Sequence, residues 1–329
     1  MPSSGDPTVF TIDPALFRPE AIAPETQALN HRIIAALGAL PDKWAFPPAD
    51  LRAARAAGKG PFPLAPRDPR AVDIQIPGRD GLVPARVIAP TDAAPAGVYL
   101  HFHGGGWTLG AHDQQDQILT PLVDLSGYAV VSVDYRLAPE HPYPAGPDDC
   151  EAAALWLLAE CTARFGTRRL AIGGESAGAH LAVVTLLRLR DRHGIQPFHG
   201  ANLVAGCYDL ALTPSARRYG PTPLILTTRD VELFARSFLG DGADRADPDI
   251  SPIHADLGGL PPALFSVGTA DALLDDSLFM AGRWLAAGNA ADLDVTPGGA
   301  HVFQYFDSPA TTASLGRMAA FLKGLGAEG

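Results

Sequence analysis

Residues 170–192 read LAIGGESAGAHLAVVTLLRLRDR, and this stretch decides the fold. Positions 170–174 form a short apolar run of strand type. Positions 176–192 carry a long, apolar helical pattern. Between them stands Gly174-Glu175-Ser176-Ala177-Gly178, a G-x-S-x-G at a strand-to-helix turn. In that context a nucleophilic serine is held on a sharp, exposed turn. The residues two before and two after it must be small, and glycine supplies the room. Taken by themselves, the five residues also fit a glycine-rich turn with Ser176 as an ordinary helix cap.

Working outward, the same alternation continues on both sides. Upstream, 72–77 and 82–89 are strand-like and are joined by Pro77-Gly78-Arg79-Asp80-Gly81, which is hairpin chemistry. Strands are expected at 97–102, 129–134, 201–208, 263–268 and 291–296. Helices are expected at 114–125, 147–165, 273–287 and 311–325. Strands separated by helices of this length require crossover connections, hence an α/β fold with a mostly parallel sheet. Residues 1–60 are helical by pattern, with no strand. Residues 210–255, with a short helix at 231–239, are too long for a plain connection. Both read as parts of a helical cap over the sheet's C-terminal edge, where open α/β sheets bind ligands. The expected division is 1–60 as the N-terminal part of the cap and 61–329 as the catalytic domain, with the cap insertion at about 210–255.

The composition narrows the function. The chain has 329 residues, 47% of them hydrophobic and 19% charged, enough for a sizeable core. Its formal net charge of −11 would repel a phosphate backbone, so no nucleic-acid partner is expected. No apolar run is long enough to span a bilayer, and Met1 to Asp13 carry no secretory pattern, so no membrane partner is expected either. The three cysteines, Cys150, Cys161 and Cys207, are too few and odd for a disulfide framework. They point to a reducing compartment and a cytoplasmic location.

A second motif, His103-Gly104-Gly105-Gly106-Trp107, follows the 97–102 strand. Its glycines allow backbone N–H groups to turn toward a ligand. Paired with the N–H of Ala177, the residue after the serine, such donors can hold an oxyanion. Gly105 and Gly106 are the favoured loop donors, with Gly104 supporting. A phosphate loop would need a nearby Lys, and none is present. His101 and His103 form H-x-H, but no further ligand pattern completes a metal site. His103 is better read as a brace for the glycine loop. No metal and no cofactor are expected.

A nucleophilic serine needs a base, and the base needs an orienting carboxylate. Of ten histidines, His301 in Gly298-Gly299-Ala300-His301 directly follows the last strand and projects from the same edge as Ser176. Asp271 lies just past the 263–268 strand and is the first choice of acid. Asp275 is the fallback, since Asp275 and Asp276 could instead complement the next helix's N-terminus. Trp107, Tyr208 and Phe303 adjoin the strand ends and are candidate substrate-binding residues; core packing is the default reading for Tyr208 and Phe303 and stands level with a pocket wall for Trp107.

With these residues in place, the sequence resembles the hormone-sensitive-lipase-like microbial esterases of the α/β-hydrolase superfamily. The matching segments are HFHGGGWTLG (101–110), DYRLAPEHPYPA (134–145), GGESAG (173–178), GLPPALFSVGTADALLDD (259–276) and GGAHVF (298–303). The resemblance implies an eight-stranded, mostly parallel sheet with the second strand antiparallel. It implies hydrolysis of small-molecule carboxylic esters by Ser176, Asp271 and His301, in the family's chain order. A homodimer through the 291–296 edge strand is suggested by the same analogy. Val302, where the family often has Gly, and Ala272, where Pro is common, depart from its pattern. Amide, lactone or carbamate hydrolysis would use the same machinery, and a non-catalytic receptor on this fold is the remaining alternative.

Overall fold

The computed structural model describes residues 11–326 apart from positions 61 and 241. The first ten residues of the expected N-terminal cap segment, position 241 of the expected insertion, and positions 61 and 327–329 lie outside the described residues. Eight strands, β1 (Val72–Pro77), β2 (Leu82–Ile88), β3 (Val98–Phe102), β4 (Ala129–Val133), β5 (Leu170–Glu175), β6 (Gly200–Val204), β7 (Ala263–Gly268) and β8 (Ala291–Thr296), form one sheet. Their order is β1-β2-β4-β3-β5-β6-β7-β8. Strand β2 runs antiparallel to both neighbours, and β3 to β8 are parallel. This is the α/β architecture expected from the alternation of elements, with the antiparallel strand where the resemblance puts it.

Nine α-helices surround the sheet among the described residues. They are α1 (Pro24–Gly38), α2 (Pro48–Ala56), α3 (Asp116–Ser126), α4 (Ala145–Phe165), α5 (Ala177–His193), α6 (Pro214–Arg218), α7 (Thr228–Leu239), α8 (Leu274–Ala286) and α9 (Pro309–Gly324). The central strands β3 to β7 are buried along their whole length, because helices cover both faces. Alternate residues feed separate cores. Val98, Leu100 and Phe102 of β3 pack with α4 and α5, whereas Tyr99 packs with α3 and α9. Two buried arginines pin this frame. Arg86 makes two bonds, 2.6 and 2.9 Å long, to Asp116 at the start of α3. Arg188 of α5 reaches Asp148, Glu151 and Asp249.

One expected strand stops early. The 201–208 run leaves the sheet after Val204, where Ala205 takes a φ of 47°. The amides of Tyr208 and Asp209 then turn to the carboxylate of Asp276, at 2.7 and 3.0 Å, in place of a strand partner. A side chain from α8 has won the backbone donors that the sheet would have used.

The two helical segments meet over the C-terminal edge. Asp230 of α7 accepts from Trp44 Nε1 at 2.7 Å and pairs with Lys43 at 3.0 Å. Asp42 pairs with Arg229, and the Trp44 and Phe234 rings meet edge to face at 4.8 Å. Asn30 of α1 donates to the Gly298 carbonyl at 2.7 Å, and Arg52 of α2 to the Thr108 carbonyl at 3.0 Å.

Candidate active site

Ser176 stands between β5 and α5 with φ 56° and ψ −118°. Few L-residues adopt such a backbone, and something must force it. The forcing element is β3. A Cβ on Gly174 would lie 2.0 Å from the Phe102 carbonyl oxygen, and one on Gly178 would lie 1.9 Å from it. Both glycines therefore let the turn press against β3, and the serine is pushed up toward the strand ends. The two positions that had to be small are small for this reason.

His301 Nε2 is 2.9 Å from Ser176 Oγ. On the other side of the ring, Nδ1 is 3.0 Å from each oxygen of Asp271. The Asp271 carboxylate also accepts the amide of Leu273 at 2.8 Å, which fixes it at the head of the turn into α8. With Nδ1–H donating to the carboxylate, Nε2 is left as an acceptor facing the hydroxyl. All three residues are buried. Asp275 is elsewhere: its carboxylate takes the amide of Ser215 at 2.8 Å. Asp276 holds the 208–213 loop through two amides and the Thr213 hydroxyl. Burial pushes its carboxyl up to about 7 against the pull of those donors.

The glycine loop lies beside the serine. Gly105 and Gly106 have φ of 124° and 59°, a region that favours glycine. Gly104, Gly105, Gly106 and Ser176 share one cavity wall. Among the described residues, no acceptor meets the N–H groups of Gly105, Gly106 or Ala177. His103 Nδ1 donates to the Gly104 carbonyl at 2.9 Å, and Tyr135 Oη donates to the carbonyl of His103 at 2.7 Å. Burial lowers the His103 pKa to about 4, so the brace is a neutral ring. His101 faces Ser132 and Glu175, at 3.0 and 2.9 Å.

The cavity has a volume of about 500 Å³ and is walled by residues of both helical segments as well as the sheet edge. Trp107 lines it, stacked on Phe238 at 4.6 Å. Tyr208 and Phe303 do not line it. Tyr208 is buried against Phe265, its amide drawn to Asp276, and its neighbour Cys207 faces the cavity instead. Phe303 packs under Gly299, and the 3-10 turn Phe303–Tyr305 brings Tyr305 to the wall in its place. Burial drives the Cys207 thiol well above its ordinary pKa, so it stays protonated. Trp44, Arg55 and Phe234 also reach the cavity. No local pattern marks them, because each arrives from the two helical segments, 11–60 and 210–255, by long-range packing.

Among the described residues no helix is long and apolar enough to cross a membrane. A family model described as alpha/beta hydrolase fold matches residues 99–305. The carboxylic ester hydrolase LipN of Mycobacterium tuberculosis is 37% identical over 244 residues, which cover 70% of this chain and 65% of LipN. The chain thus matches just under two thirds of that relative's length. The carboxylesterase NlhH of the same species is 37% identical over 75% of this chain and 80% of its own. The structure of a hyperthermophilic esterase from Pyrobaculum calidifontis superposes with a TM-score of 0.81 at 32% identity, covering 92% of this chain and 98% of that one. A hormone-sensitive lipase from a metagenome library superposes with a TM-score of 0.79 at 29% identity, over 91% and 97% of the two chains. The chain belongs to the α/β-hydrolase fold family, in its hormone-sensitive-lipase-like branch of esterases.

Proposed function

We propose that the protein is a serine carboxylesterase acting on short- to medium-chain acyl esters, with Ser176, His301 and Asp271 as its catalytic triad. The observation that carries this is His301 placed 2.9 Å from Ser176 Oγ and 3.0 Å from the Asp271 carboxylate. His301 Nε2 takes the hydroxyl proton as Oγ attacks the ester carbonyl carbon. The negative charge that forms on the carbonyl oxygen is met by the N–H groups of Gly105, Gly106 and Ala177, with Gly104 supporting the loop. The C–O bond breaks, and the alcohol leaves with the proton from His301. Water then attacks the acyl-serine, with His301 again as base, and frees the acid.

The N-terminal segment up to residue 60 and the 210–255 insertion serve as one cap, which supports a preference for small soluble esters. Three buried, unpaired cysteines support a cytoplasmic location. A homodimer through the open edge of β8 belongs to the same proposal and is read by light scattering.

The test is a p-nitrophenyl ester series from acetate to palmitate, on wild type and Ser176→Ala. The expected result is activity on the shorter chains that falls by about 10³-fold or more in the variant. A folded wild type inactive on every chain length overturns the proposal.

A further inference from the structure

Three arginines are buried among the described residues: Arg55, Arg86 and Arg188. Two of them have carboxylate partners. Arg86 is bound by Asp116, and Arg188 by Asp148, Glu151 and Asp249. Arg55, at the end of α2, is 8% exposed and has no carboxylate partner among the described residues. Its Nε meets no hydrogen-bond acceptor. Its guanidinium carbon lies 5.2 Å from the Phe62 ring centre, and that ring packs on Tyr305 at 4.9 Å. A cation over a ring recovers about 0.5–2 kcal/mol, less than the several kcal/mol that removing an ion from water costs.

Arg55 is also the one of the three that lines the cavity holding Ser176 and His301. Tyr305 lines the same cavity, and its hydroxyl, near Arg55 and Gln115, meets neither in hydrogen-bond geometry. The acids on the cavity wall do not answer the charge. Asp42 is taken by Arg229 and Asp230 by Lys43 and Trp44, while Asp50 is exposed and pairs with neither Arg55 nor the exposed Lys59. Glu175, buried behind the serine, gives one oxygen to His101. A guanidinium held this way presents a planar fork of donors that matches a carboxylate.

We infer that Arg55 is a specificity-determining residue, and that the preferred ester carries a carboxylate which Arg55 binds inside the cavity, with the Tyr305 hydroxyl as a further donor. This inference rests on Ser176 being the nucleophile of that cavity. It makes the substrate a half-ester of a dicarboxylic acid or an acylated hydroxy acid, depending on which side of the ester bond faces Arg55.

The test compares matched esters that differ in one charge. On the acyl side these are mono-p-nitrophenyl succinate and p-nitrophenyl butyrate. On the alcohol side they are 2-acetoxypropanoate and its amide, followed by acetate release. Wild type, Arg55→Met and Arg55→Lys are compared, with melting curves to show that each is folded. In at least one pair, the ratio of kcat/KM for the charged to the neutral ester should fall by 10-fold or more in Arg55→Met. The fall should sit mainly in KM, and Arg55→Lys should recover part of it. A ratio unchanged in both pairs, or charged and neutral esters falling together, overturns the inference. If folded wild type hydrolyses neither the charged nor the neutral esters, the esterase assignment fails separately. Arg55 is then judged by calorimetric binding of glutarate: binding lost in Arg55→Met supports its role, and equal or absent binding in both proteins overturns it.

Discussion

Trp107 Nε1 donates to His180 Nδ1 across 3.1 Å, and this bond fixes the histidine as neutral. An indole N–H can only donate, so Nδ1 must accept. The other nitrogen, Nε2, therefore carries the proton and donates to the Ile250 carbonyl at 2.8 Å. One buried ring thus joins the glycine loop, α5 and the 210–255 segment. Burial lowers the His180 pKa from 6.5 to about 4.

That bond predicts how stability depends on pH. Between pH 6.5 and about 4 the unfolded chain protonates this histidine and the folded one does not. Unfolding then takes up a proton, so stability falls as pH drops through this window and is undiminished above it. A shift of this size corresponds to on the order of 3 kcal/mol. His103, also lowered to about 4 by burial, acts in the same direction and the same window. Urea unfolding at pH 7 and at pH 4.5 should show the loss, and His180→Gln should flatten the slope. A slope that His180→Gln leaves unchanged would place the acid sensitivity elsewhere.

The elbow glycines should divide sharply from a surface glycine. In Gly178→Ala the new methyl would sit 1.9 Å from the Phe102 carbonyl oxygen, which is strand backbone and cannot yield. We expect a loss of about 4 kcal/mol or more, visible as low soluble yield or a much lowered Tm. Gly282 lies exposed in α8, and a methyl added there would meet nothing within 4 Å. Gly282→Ala should stabilise by about 0.5–1 kcal/mol through helix propensity and the unfolded chain. A tolerated Gly178→Ala would mean that the turn does not press on β3 as described.

Asp230 should govern how the two helical segments close over the cavity. Its carboxylate serves Trp44, Lys43 and the Thr227 end of α7 together. Asp230→Ala removes all of these and leaves the Trp44 indole N–H without its acceptor. Losing hydrogen bonds to a buried charged group costs about 1.5–3 kcal/mol. Because Trp44 and Phe234 line the cavity, KM for a hexanoate ester should rise several-fold more than KM for the acetate. Equal KM changes for both chain lengths would show that Asp230 does not shape the wall met by the longer chain.

The parts of the molecule that can be read from sequence are those whose physics is local. The G-x-S-x-G turn, the glycine loop and strands β1, β7 and β8 are encoded by neighbouring residues, and the structure has them at those positions. Asp271 and His301 can be placed because each directly follows a strand that ends at the same sheet edge. The local pattern carries strand β6 on to Tyr208, since nothing nearby announces that Asp276, from a distant helix, takes its amides. Phe303 and Tyr208 adjoin the strand ends, so a place on the cavity wall stands beside core packing as a reading for each, and both turn out to be core. A 3-10 turn and a left-handed residue decide instead that Tyr305 and Cys207 reach it. Arg55 gives no signal at all, because an arginine on a short helix is ordinary until its surroundings are known.

Val302 tests which of two opposing effects wins next to His301. It sits at φ 48° and ψ 47°, the left-handed region that β-branched residues avoid. Removing the side chain in Val302→Gly relieves about 1–2 kcal/mol of backbone strain. The same change exposes the loss of a valine that is only 4% exposed and packs in the α3–α9 core, worth about 1.5–3 kcal/mol. Glycine adds about 0.5–1 kcal/mol of unfolded-state entropy. The two costs outweigh the relief, so Val302→Gly should be destabilising by about 1 kcal/mol, whereas the positive φ alone would predict a gain. Urea midpoints at pH 7 decide the sign. A stabilised variant would mean that the side chain's packing is worth less than the strain it imposes, and that the valine is held for His301 and not for the core.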